Sequence, residues 1–255
     1  MLLVGAQSIA KAQTAVEADD TSDAESILMD QVDEQDELDD VRPGRPRPPR
    51  LSINSSAKAS AKVKINKDVA FEAFVRLGQG SLQDPVAPSS SNLGGGFALA
   101  WKLGKFAFST SIDGTNNYAN FMGDYKSNGY VLRQGIANSI KLGKDVNITP
   151  AMGISYAFAS NTSQNRFKID ASAPIGWRFG NVEWQAVIPK VSYQTYVNQD
   201  RSDWTFYVGS GVRWEIAPAA TLSATIGFEQ KTSTLAKAEY SRWILAPQIA
   251  FKIPL

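Results

Sequence analysis

From Leu51 to Leu255 the chain alternates apolar and polar residues in stretches of roughly ten, each ended by a turn, and the turns are short and long in strict succession. A period of 2 puts alternate side chains on opposite faces of a strand. Phe97, Leu99 and Trp101 share one parity, as do Phe106 and Phe108. The pattern continues in Val146, Ile148, Met152, Ile154, Tyr156 and Phe158; in Phe167, Ile169, Ile175, Trp177 and Phe179; and in Val182, Trp184, Ala186 and Ile188. It runs on through Trp204, Phe206, Val208, Val212, Trp214 and Ile216, and through Leu222, Ala224, Ile226 and Phe228. The opposite parity holds small or polar residues such as Asn147, Thr149, Gly153, Ser155, Gly209, Gly211, Ser223 and Thr225. Strands with one apolar and one polar face suit a wall between lipid and a polar lumen, so the pattern predicts an all-β fold: an antiparallel up-and-down transmembrane β-barrel of about 10 to 12 strands.

The turns support hairpins. Lys64-Ile-Asn-Lys-Asp-Val69 and Lys141-Leu-Gly-Lys-Asp-Val146 are nearly the same hexapeptide, Leu103-Gly-Lys-Phe106 and Phe179-Gly-Asn-Val182 are tight connections with Gly available for positive φ, and Ala217-Pro-Ala-Ala220 makes a fifth. Eleven strand segments can be read, whereas single-chain bacterial barrels normally have an even number. Treating Ile65 to Val69 as a bulge reduces the count to ten, which is the favoured number and puts both chain ends, including the N-terminal tail, at the short-turn, periplasmic side. Pro150, Pro174, Pro189 and Pro247 fall inside segments and require bulges or strand ends, since each removes a ladder donor. Gln134 breaks the apolar face formed by Leu132 and Ile136.

Aromatic residues gather near the turns, where an indole can keep its apolar body in lipid and its N–H at the headgroups. Trp101, Trp177, Trp184 and Trp214 form one expected girdle, beside the short turns; Tyr130, Trp204, Tyr240 and Trp243 form the other.

Charge divides the chain. Between Gln13 and Asp40 there are twelve acidic residues and no basic one, while from Leu51 onward 21 Lys or Arg face 13 Asp or Glu. Residues 13–50 therefore read as a disordered acidic tail with a Pro/Arg-rich linker, too polar to offset their ordering entropy. Residues 1–12, ending in Ala10-Lys11-Ala12, read as a signal peptide with a truncated basic region, and residues 51–255 as the barrel. Of lumen parity are Lys102, Arg133, Lys141, Lys168, Arg178 and Arg213, against Asp170, Glu183 and Glu215, a surplus that predicts an anion-preferring interior.

Cys and His are absent, which removes thiol and imidazole catalysis and the commonest metal ligand. No paired-acid motif stands in their place. The expectations are no enzymatic activity, no cofactor, no metal site and no nucleic-acid partner.

The last residues, Ile249, Phe251, Ile253 and Leu255, share one parity and resemble the C-terminal strand of bacterial outer-membrane β-barrel proteins, which usually ends in Phe. The resemblance covers roughly Leu51 to Leu255 and is architectural, with porin-like and autotransporter-like barrels both open. It implies an outer-membrane location, the bilayer and the barrel assembly machinery as partners, and a periplasmic or surface partner for the tail as a further candidate. The functional expectation is a narrow anion-preferring channel for small solutes; the alternative is a structural or adhesive barrel with a plugged lumen, working through its long outer loops or acidic tail.

Overall fold

The computed structural model describes residues 50–82, 90–119, 125–143 and 145–253. The expected signal peptide and most of the expected tail lie outside them, as does Leu255. Eleven membrane-crossing strands follow one another: β1 (Arg50–Lys64), β2 (Val69–Leu82), β3 (Ser90–Leu103), β4 (Phe106–Ala119), β5 (Tyr125–Asn138, continued by Ile140–Lys141), β6 (Val146–Ile148 and Ala151–Ala159), β7 (Arg166–Ser172 and Ile175–Phe179), β8 (Val182–Tyr196), β9 (Ser202–Ala217), β10 (Ala220–Ser233) and β11 (Tyr240–Ile253). Each pairs antiparallel with its successor, and β1 pairs with β11 to close the barrel. Closure leaves no edge strand, so each ladder group has a neighbour in place of lipid.

The closing ladder is parallel, with Arg50 opposite Arg242 and Ala61 opposite Ile253. An odd number of crossings requires this, because the first and last strands then run in the same direction. The preference for ten strands is thus corrected. Residues 65–68 form a true hairpin turn, in which the Ile65 amide donates to the Val69 carbonyl at 3.0 Å and Asn66 Oδ1 accepts from the amides of Asp68 and Val69 at 2.8 and 2.9 Å. The matching hexapeptide closes alike, Leu142 N–H donating to Val146 at 3.0 Å. The expected side of the tail changes with the count: Arg50 lies at the long-loop end, opposite to where Ile253 emerges. The remaining Gly-containing turns use positive φ, +61° at Gly104 and +59° at Gly180.

Face assignment follows burial. Phe97, Ile154, Val208 and Ile226 are all exposed on the outer surface, Ile226 at 53 %, whereas Ser60, Arg76, Asp113, Lys168 and Asp170 are buried. This inversion of a soluble protein is what a lipid-facing wall requires. Gln134 does lie on the lipid face, and it accepts a hydrogen bond from Thr110 of the neighbouring strand at 2.5 Å, so the intruding amide carbonyl is satisfied within the wall.

Three prolines form a step across β6 to β8. Pro150 accepts from Asn138 N–H at 3.0 Å, Pro174 from Thr149 N–H at 3.0 Å and Pro189 from Ala173 N–H at 3.2 Å. Each sits at a strand break or bulge, where its missing donor leaves no hole in the ladder. The β8 bulge, between Gln185 and Ile188, also reverses parity. Val187 and Pro189 face outward there, which corrects the placement of Ile188 on the same face as Val182 and Trp184. Pro247 falls where the β1–β11 ladder is interrupted between Leu245 and Gln248, the register being the same on both sides.

Candidate functional site: the charged lumen

Because alternate residues of every strand point inward, the lumen gathers charge from every strand but β6. Among strand residues of lumen parity, sixteen are Lys or Arg, Arg50 included, and seven are Asp or Glu; Arg201, just before β9, adds another cation. Two acids are each bracketed by two cations. At mid-height, Asp113 on β4 accepts from Arg76 on β2 at 3.2 Å and from Arg133 on β5. Gly96, the β3 residue in register with Asp113, makes this seat, since a Cβ there would meet the Asp113 Cβ and the Ile112 carbonyl. At the long-loop mouth, Asp203 accepts from Arg201 and Lys231, each at 3.1 Å, from Gln194 at 2.8 Å and from Ser233 at 2.5 Å.

Beside that cluster Glu229 accepts from Arg242 and from the Tyr240 hydroxyl, the latter at 2.9 Å. Arg242 also lies over the Tyr240 ring, 4.4 Å from its centroid. Tyr240 therefore points into the lumen, and its placement in the outer aromatic girdle is corrected. Trp204 and Trp243 are on the lipid face near the long loops, as is Tyr130, which packs over Gly114. Trp101, Trp177, Trp184 and Trp214 lie near the short turns, with Trp101 stacked on Phe108 at 5.6 Å and Trp177 on Trp184 at 5.5 Å.

The nine charges singled out from sequence all have lumen parity but do not form one site. Arg133 joins the mid-height cluster with Asp113; Lys168 and Asp170 are buried at mid-height on β7; Lys102 and Arg213 are partly buried nearer the short turns. Arg178 pairs with Glu215 at 3.0 Å on the short-turn rim, where both are largely open to water. Lys141, Arg178 and Glu183 also line a polar cavity of about 220 Å³ with Asp145, Asn147, Thr149 and Gln185. Its wall includes Pro174, so this recess opens beneath the proline step.

Sequence reading missed Arg76, Asp113, Asp203, Lys231 and Arg242. Their parity was available, but the pairing registers that bring them together were not. The two ends of the lumen differ: at the long-loop mouth the short polar side chains Ser52, Asn117 and Asn92 are 0 to 2 % exposed, whereas the short-turn end holds the open recess.

No protein-family model matches the chain, and no curated protein does. Solved structures do. The β domain of the Bordetella autotransporter BrkA aligns with a TM-score of 0.50 at 12% identity, over 71% of this chain and 82% of that one. LpxR from Salmonella typhimurium aligns with a TM-score of 0.47 at 10% identity, over 71% and 83%. An OmpT loop-deletion variant, an outer-membrane protein of Vibrio cholerae, aligns with a TM-score of 0.38 at 13% identity, over 64% and 57%. The chain has the fold of bacterial outer-membrane β-barrel proteins. An outer-membrane barrel of this kind associates with the outer-membrane bilayer through the apolar belt described above. LpxR is a lipid A deacylase, so barrels of this broad architecture carry enzymes. That overturns the expectation of no enzymatic activity.

Proposed function

We propose that the barrel is an anion-preferring pathway for small solutes, closed at its long-loop mouth in the described state. The supporting observation is the excess of lumen cations, seen most plainly where Asp113 and Asp203 are each held between two of them. Low-dielectric walls focus that positive potential on ions in the lumen. The lipid-facing parity of Ile249, Phe251 and Ile253 suits recognition of the last strand, with Leu255, by the barrel assembly machinery. The test is the reversal potential of the protein in a planar bilayer under a KCl gradient. The outer-membrane barrel should select chloride, less so at about 1 M salt, where the screening length falls to roughly 3 Å. Replacing Arg133, Lys168 and Arg213 together by Gln should move the reversal potential toward cations; a cation-selective wild-type pore defeats the proposal. Burial at the long-loop mouth favours a second reading, a plugged barrel that works through its outer loops or tail, and it predicts no conductance under any of these conditions.

A further inference from the structure

We infer that the recess beneath the proline step binds a small zwitterion of the amino-acid class, with an ammonium group at one end and a carboxylate at the other. The inference is drawn from the local geometry of the recess and not from the cation surplus of the lumen, so it goes beyond the anion pathway and does not require that the lumen conduct. Four neighbouring strands build the floor row by row. Lys141 on β5 is in register with Asn147 on β6, Asn147 with Gly176 on β7, and Gly176 with Gln185 on β8. One row nearer the short turns, Arg178 on β7 stands opposite Glu183 on β8, and Glu183 opposite Arg213 on β9.

Gly176 opens the middle of this floor. A Cβ there would meet Asn147 Oδ1 at 3.1 Å, the Trp184 carbonyl at 3.4 Å and Glu183 Oε1 at 3.5 Å, so three oxygens converge on a space that a side chain would fill. The side chains of Asn147, Glu183 and Gln185 make no hydrogen bond or ion pair among the described residues, although guanidinium groups lie on both neighbouring strands of Glu183. Arg178 turns instead to Glu215 and to the Gly180 carbonyl, and Arg213 keeps a buried Nε without a partner. An ammonium group has three donors and no acceptor, the complement of three oxygens of which one belongs to a carboxylate. A bare divalent ion fits less well, since calcium takes about six to eight oxygens and no group of three or more acidic ligands stands together among the described residues. The other end of the recess supplies the opposite charge. Lys141 is exposed, makes no ion pair among the described residues, and starts two strands from Gly176, about 10 Å at the usual strand spacing. Its four-carbon stem spans part of that gap and leaves the length of a short amino acid between its ammonium and the oxygens around Gly176. The cavity of about 220 Å³ is roughly seven times the volume of one water in the liquid, which is room for such a solute. Both of its ends would be held by charge-assisted hydrogen bonds, roughly twice as strong as neutral ones.

Equilibrium binding to the refolded full-length chain in detergent tests this without reference to conductance. Glycine, alanine and glutamine are titrated by calorimetry beside methylammonium and acetate, which carry the two charged ends separately, and beside calcium chloride. At least one amino acid should bind about tenfold or more tightly than either half, because each half forgoes the hydrogen bonds of the other. Gly176→Ala, which fills the seat, and Glu183→Gln, which removes its charge, should each weaken amino-acid binding about tenfold or more. Lys141→Gln should lower the affinity for the amino acid to that for methylammonium. Lys252→Gln, which removes another cation of the short-turn end on β11, outside the recess, should bind like the parent. Each variant should keep the parent's heat-modified gel mobility; if Gly176→Ala does not fold, Glu183→Gln and Lys141→Gln carry the test. Acetate binding as tightly as any amino acid would make the recess a plain anion site, and calcium binding tighter than any amino acid and lost in Glu183→Gln would make it a metal site. No amino-acid binding up to about 10 mM, or binding undiminished in both Glu183→Gln and Lys141→Gln, would leave the recess filled by water alone. Each of these results overturns the inference.

Discussion

Asp113 offers the sharpest test of how the lumen is held together. It is 2 % exposed and accepts from Arg76 at 3.2 Å and from Arg133, so it neutralises two guanidinium groups drawn from strands on either side of it. Asp113→Asn preserves volume and one acceptor oxygen but removes the charge, leaving two cations facing each other across a buried site. Breaking a buried ion pair by removing one partner costs about 3 to 5 kcal/mol, and the retained acceptor argues for the lower end. A loss of about 3 kcal/mol corresponds to more than a hundredfold in the folding equilibrium. Glu215→Gln is the control, because its pair with Arg178 at 3.0 Å stands in water at the rim and should contribute less than about 1 kcal/mol. Urea titration of the barrel in lipid vesicles, followed by tryptophan fluorescence, reads both. Adding Arg133→Gln to Asp113→Asn should recover part of the loss, since it removes one of the two opposed charges. If Asp113→Asn and Glu215→Gln destabilise equally, the buried cluster is not the support described here.

The lipid face gives a second prediction: Ile226→Arg, at mid-strand and 53 % exposed, should cost about 2 to 4 kcal/mol of insertion stability, whereas Phe251→Asp, opposite Ala220 at the short-turn end, should cost less, and Lys252→Asp, of lumen parity, less again. The folded fraction on heat-modified gel mobility ranks the three, and equal losses would refute the face assignment. A third concerns Tyr207, whose ring lies in the lumen over the paired glycines Gly209 and Gly227. Gly227→Ala places a methyl against that ring and should destabilise by about 1 to 3 kcal/mol, with the loss relieved by Tyr207→Ala; undiminished stability of Gly227→Ala alone would show that the ring is free to move.

What the sequence made legible was whatever a period of 2 can carry. Face parity was read correctly for most strands because each lipid-facing residue is forced to be apolar independently of its neighbours, and the two Lys-x-x-Lys-Asp-Val turns announced their common hydrogen bonding by composition alone. Parity failed at Ile188, where a bulge beside Pro189 inserts a residue; the proline signalled some irregularity but not its phase. Tyr240 was misplaced for a related reason. A tyrosine near a strand end serves a headgroup girdle or a lumen cluster equally well, and only the neighbouring Glu229 and Arg242, known through the β10–β11 register, decide between them. The bracketed acids were illegible for the same cause: Arg76 and Asp113 are 37 residues apart, and no local pattern fixes the two registers that make them neighbours.

Strand count is where local rules and global closure part company. An even count lets every ladder be antiparallel and returns both ends to one side, so it is the default; an odd count forces one parallel ladder, slightly weaker per residue. Here that seam is also interrupted at Pro247 and lined on β1 by Ala57, Ala59 and Ala61, side chains too small to add much cross-strand packing. The seam should therefore be the ladder that opens first, and its position has a consequence for the rest of the molecule. It joins the strand that starts at the cationic mouth to the strand that ends the barrel. The cations at that mouth, Arg242 of β11 among them, therefore sit at the end of the ladder that has the least to hold it.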